Sequence, residues 1–204
     1  MTEREDRTKA RRLLDEHGRT FADEAGIRLR DTPAPLYQLS VLSMLSSAPI
    51  RAHAAIATAR ELFAAGWRTP VRMVESTWQQ RVDVLGRGGY KRYDESTSTA
   101  LGEGAQLILD TWGGDLRKLR AEAGRDPGAI RERLRRIRRI GPTGADIFCR
   151  EAQGIWPELR PGFDKRARDG AGAAGLPTSP DRLAALVEPD DLPRLAAALV
   201  RTTL

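Results

Sequence analysis

Ten lysines and arginines stand against three acids between Arg117 and Arg139, a local balance of +7 in a chain whose total is +6. Guanidinium groups at that density are the footprint of a surface that meets a polyanion. The stretch ends in Ile140-Gly141-Pro142-Thr143-Gly144, where the apolar period breaks and Pro142 suits the first position of a new helix. A helix N-terminus leaves backbone N–H groups unpaired and facing outward, which suits a phosphate. Arg135, Arg136, Arg138, Arg139, Gly141, Thr143 and Gly144 are therefore the candidate anion-binding residues. An ordinary solvated charged face has the same composition. Further on, Phe163-Asp164-Lys165-Arg166 sets one carboxylate among cations at the head of a helix, where aspartate also serves as a simple cap.

Helices position these groups. Ile130, Leu134 and Ile137 form one apolar stripe, the hairpin follows, and Ala145, Phe148, Cys149 and Ala152 carry an apolar face onward. Upstream, a helix is expected over Thr2–Ala25, with Ala10, Leu13, Leu14, His17 and Phe21 on one side. A linker follows over Gly26–Pro35. The next helix, from Leu36, is too uniformly apolar for a surface helix and is expected to be buried. Helices over Arg51–Ala65, from Pro70 and over Trp78–Leu85 lead to a glycine-rich turn at Gly86–Gly89. A long helix then runs to Trp112 with Thr97, Leu101, Gly104 and Ile108 on one stripe. After Asp164, helices are expected to Gly175, over Arg182–Glu188 and over Leu192–Leu204. No stretch alternates as a strand does.

Composition narrows the classes. Apolar residues at 40% and charged at 30% describe a globular protein. Aromatics at 5% argue against a stacking platform for single strands. Cys149 is the only cysteine, which excludes internal disulfides and a four-cysteine cluster, and with His17 and His53 the only histidines no zinc site is expected. The N-terminus has no signal-peptide core and no apolar run spans a bilayer, so the expectation is a cytoplasmic, nucleoid-associated protein with no membrane partner.

The hairpin, the Ala145-Asp146 pair in its second helix and an aspartate some twenty residues later together resemble the helix-hairpin-helix DNA glycosylase superfamily, of which endonuclease III is the best-known member. Leu36–Ser47, the Gly-Tyr-x-x-Lys/Arg-like stretch from Leu85 to Leu109, and Trp112-Gly113-Gly114-Asp115-Leu116 agree in order, so the match runs from Leu36 to Pro177. The resemblance implies an all-α, two-lobed fold with a cleft between lobes. Residues 1–35 with 155–204 would form one lobe and residues 36–154 the other, with the hairpin at about 130–153. It implies excision of a damaged or modified base from double-stranded DNA by a monomer. Asp164 would be the catalytic carboxylate, Lys165 would join the DNA-binding set, and Tyr90, Arg92, Tyr93 and Asp94 would stand at the base pocket.

Four departures from the family pattern stand out. Members that cut the strand carry a lysine where Thr143 stands, so the chain is expected to be monofunctional. The single cysteine denies it the iron–sulfur cluster of many relatives, and no cofactor is expected. Arg138 and Arg139 replace a proline and a glycine, so guanidinium groups are expected to take over from amides at the phosphates. Ala48-Pro49-Ile50 stands where the family wedges a glutamine into the base stack. Two other classes keep the same residues: a non-catalytic helix-hairpin-helix DNA-binding protein, and a helical module whose arginine-rich helix binds an acidic protein.

Overall fold

The computed structural model describes residues 2–204, and helix is the only regular structure among them. The α-helices are α1 (Glu3–His17), α2 (Phe21–Glu24), α3 (Pro33–Ser46), α4 (Ala52–Ala64), α5 (Pro70–Glu75), α6 (Trp78–Arg87), α7 (Asp94–Trp112), α8 (Leu116–Glu122), α9 (Pro127–Leu134), α10 (Pro142–Ala152), α11 (Lys165–Ala173), α12 (Pro180–Ala184) and α13 (Leu192–Arg201). Local chemistry sets many of the starts. Thr2 with Glu5, and Thr77 with Gln80, form reciprocal capping boxes. Thr69, Asp115, Asp126 and Asp164 cap through a side-chain oxygen.

The expected first helix is two helices. Gly18 caps α1, its N–H bonding to the Leu14 carbonyl, and the apolar period resumes only at Phe21. The last helices are also shorter than their patterns, ending at Ala173, Ala184 and Arg201.

The chain divides into two compact units, Met1–Glu24 with Cys149–Leu204, and Ala25–Phe148. The divisions fall at 24/25 and 148/149 rather than at 35/36 and 154/155. The stretch read as a linker belongs to the central unit: Ile27 is buried, and Asp31 pairs with Arg120 at 3.0 Å.

In the central unit α3 is sunk in the core, with Leu36, Leu39, Leu42 and Leu45 fully buried. Arg81 is buried as well. Its guanidinium donates to the carbonyls of Ser98 (2.9 Å) and Ser76 (2.7 Å) and so ties α6 to α5 and α7. Burial pushes this guanidinium below its ordinary pKa. In the other unit α11 and α13 touch backbone to backbone, since a Cβ at Gly170 would lie 1.9 Å from the Leu199 carbonyl oxygen.

Candidate functional site

The first helix of the hairpin is shorter than its apolar stripe, since α9 ends at Leu134 and Ile137 lies in the turn beyond it. Asp126 caps α9 by accepting from Ala129 N–H at 2.7 Å, and Ile130, Leu134 and Ile137 are buried. The chain then turns through Arg139, whose φ of 63° lies in the left-handed region that Cβ disfavours. That shape is pinned from several sides. Ser47 Oγ, whose shorter bond is to the Met44 carbonyl at 2.8 Å, also lies 3.3 Å from the Arg139 carbonyl, while the Arg139 guanidinium donates to Ser96 Oγ (2.5 Å) and Thr97 Oγ1 (3.2 Å) and lies 5.8 Å from the Tyr93 ring centre. The second helix starts at Pro142, with Ala145 N–H bonded to the Gly141 carbonyl at 3.0 Å. Gly144 is buried against α3, where a Cβ would stand 3.5 Å from the Ser43 carbonyl oxygen and 3.3 Å from Ile140 Cγ2. Thr143 is exposed and Gly141 half-buried.

The positive charge here is smaller than the composition implies. Arg131 pairs with Asp146 (2.9 Å), Arg133 with Glu122 (3.1 Å), Arg117 with Asp115 (2.7 Å), and Arg138 with Glu103. Most of these carboxylates lie outside the basic stretch, so counting charge along the sequence missed them. Arg136 lies 5.4 Å over Trp112. Arg135 is exposed and forms none of these contacts, which leaves it the freest cation of the hairpin.

The four residues read as a base pocket differ in burial. Tyr90 is 2% exposed and donates its phenol to the Leu45 carbonyl at 3.2 Å, so it is a core side chain, and burial pushes its phenol up. Tyr93 is half-buried, with Arg92 5.5 Å and Arg139 5.8 Å from its ring. Asp94 starts α7 and accepts from Glu95 N–H at 2.8 Å. Thus Arg92, Tyr93 and Arg139 come together, and the buried Tyr90 phenol meets the same group through Thr97 and Arg139. Ile50 is half-buried in the loop after α3.

Asp164 lies in the other unit, as the cap of α11. One carboxylate oxygen accepts from Ala167 N–H at 2.9 Å, and the other accepts from Arg150 Nη1 at 2.6 Å. The two side chains are 10% and 5% exposed. Lys165 points elsewhere, pairing with Asp169 at 2.6 Å on the exposed side of α11.

Arg150 and its neighbours Glu151 and Gln153 escaped the sequence reading, because a charged pair in a helix is ordinarily solvated. The cue was their position: they continue the buried run Ile147-Phe148-Cys149 without a gap. Glu151 is 2% exposed and accepts from Ala22 N–H at 2.9 Å; burial pushes its carboxyl up, against the opposing pull of Arg150. Cys149 is buried in the same run.

Among the described residues no group of three or more His, Cys, Asp or Glu side chains could hold a metal ion, and no helix is long and apolar enough to cross a membrane. Comparison of the chain with protein-family models, curated protein sequences and solved structures finds no match.

Proposed function

We propose that this protein is a monofunctional DNA glycosylase that binds duplex DNA through the α9–α10 hairpin and hydrolyses the glycosidic bond of a damaged or modified base with Asp164. The observation that carries the reading is the Asp164 carboxylate itself. It stands at the N-terminus of α11, next to a buried guanidinium, and is still 10% exposed. Breaking an N-glycosidic bond builds positive charge on the sugar, and a fixed carboxylate beside the anomeric carbon stabilises that charge and orients water. Strand cleavage would need an amine nucleophile. Thr143 supplies none, and Lys165 is engaged with Asp169.

One observation favours a rival, a DNA-binding protein without catalysis: both Asp164 oxygens already have partners within the fold. Base release separates the two. Duplexes carrying deaminated, oxidised or alkylated bases are incubated with the protein and abasic sites revealed by hot alkali. Release that vanishes in Asp164→Asn, with duplex affinity kept, is the expected result. Binding with no release from any duplex gives the rival, and covalent trapping on abasic DNA by borohydride rules out the monofunctional assignment.

A further inference from the structure

We infer that Arg150 and Gln153, at the C-terminal end of α10, are positioning residues that fix the Asp164 carboxylate; the kinetic consequence rests on the glycosylase reading, whereas the geometric one does not.

Three polar side chains are buried within four positions, Arg150 at 5%, Glu151 at 2% and Gln153 at 0% exposure. Each reaches a different segment. Arg150 takes the Asp164 side chain. Gln153 takes the backbone just before it, with Nε2 donating to the Gly162 carbonyl and Oε1 accepting from Gly162 N–H, both at 2.9 Å. Glu151 takes the N–H of Ala22. One helix turn thus holds both the chain leading to Asp164 and the carboxylate that chain carries.

Arg150 is itself confined. Phe21 lies 5.1 Å beneath its guanidinium, and Glu151 Oε1 is 3.4 Å from Nε. Gln153 Nε2 also donates to the Arg150 carbonyl at 2.9 Å, which fixes the backbone from which the guanidinium extends.

Energetics favour a positioning role over a purely stabilising one. Burying a guanidinium and two carboxyls carries a desolvation penalty that apolar side chains of similar volume would avoid, so ion pairs of this kind contribute little net stability. They do fix geometry, since a buried, fully partnered side chain has one arrangement open to it. Glu151 and Asp164 face the same guanidinium, Asp164 at 2.6 Å from Nη1 and Glu151 at 3.4 Å from Nε, so Asp164 makes the shorter contact. Arg201 stands over the same Phe21 ring, 4.3 Å from its centre.

The test uses the full chain with Arg150→Lys, which keeps the charge, and Gln153→Asn, which keeps the amide, and two readouts. The first is the 13C resonance of the Asp164 carboxyl, assigned by its loss in Asp164→Asn. The second is single-turnover base release beside duplex affinity. The expected results are a displaced Asp164 resonance in both variants and a release rate lower by about a hundredfold, with affinity changed less than about twofold. A resonance unmoved in folded Arg150→Lys overturns the inference, as does a release rate in the variants equal to that of a parent that does release base. A displaced resonance in a protein that releases no base supports the positioning and defeats the glycosylase reading alone.

Discussion

Ser47 Oγ lies 3.3 Å from the carbonyl of Arg139, the residue at which the hairpin backbone turns left-handed, and 2.8 Å from the carbonyl of Met44. One hydroxyl proton is shared between α3 and the turn, so the turn is contacted at its carbonyl independently of the arginine side chain. Arg139→Ala and Arg139→Gly both delete the guanidinium, but only glycine adopts a φ of 63° without a Cβ clash. Chemical denaturation is expected to find the glycine variant more stable than the alanine variant by about 1 kcal/mol. Equal stabilities would mean that the turn relaxes when the side chain is lost.

Arg135 and Arg138 provide a contrast at the proposed DNA interface. Both are exposed, yet Arg138 is held by Glu103 and Arg135 by no carboxylate among the described residues. Arg135→Ala is expected to weaken duplex binding whatever the sequence, and to reduce the slope of log affinity against log salt by about one. Arg138→Ala should change that slope by less. Titrations at several salt concentrations would decide, and identical slopes in both variants and the parent would remove Arg135 from the phosphates.

Glu151 makes stability depend on pH. Burial raises its folded-state pKa above the ordinary value of 4.5, with Arg150 and the Ala22 N–H opposing the rise. Between the ordinary and the raised value the native chain binds more protons than the unfolded chain, so stability falls as pH rises through that window. Glu151→Gln keeps an acceptor for Ala22 and removes the titration. Its stability relative to the parent is expected to improve as pH climbs above about 4.5 and to level off once Glu151 has ionised. A constant difference between the two proteins across thermal melts from pH 4 to about 8 would show that Glu151 is not perturbed.

Gly170 allows α11 to lie directly on α13. Its substitution by alanine would put a Cβ 1.9 Å from the Leu199 carbonyl oxygen and 2.7 Å from the Leu199 carbonyl carbon, both backbone atoms that cannot rotate away. Gly170→Ala is expected to destabilise by about 3 kcal/mol or more. Gly172, two residues on, has a Cβ position 3.5 Å from the nearest atom, and its alanine variant provides the control in the same denaturation experiment.

Local chemistry made much of the helical framework legible. Thr69 before Pro70, Thr77 before Trp78 and Asp164 before Lys165 each announce a helix start through one oxygen and one or two N–H groups, and each cap forms. The buried stripe of α9 is read from a period of four residues. What escaped the sequence is long-range pairing. Glu103 lies 35 residues from Arg138 and Asp31 lies 89 from Arg120, so the arginine-rich stretch looks barer in the sequence than it is. Tyr90 sits beside Tyr93, and nothing local says that one phenol is buried under Leu45 while the other ring meets two guanidinium groups. Arg150 was hidden for a related reason, since its partner arrives fourteen residues later and the ring beneath it comes from Phe21.

The division of the chain has a consequence for its synthesis. Residues 25–148 are contiguous, so their unit has its whole sequence once residue 148 has left the ribosome. The other unit is assembled from the two ends of the chain. Phe21 must wait for Arg150 and Arg201, and α1 for α13. The central unit therefore has its whole sequence before Asp164 has been made, and a ribosome stalled before Leu192 would display the arginines of the hairpin with α1 and α11 still lacking α13.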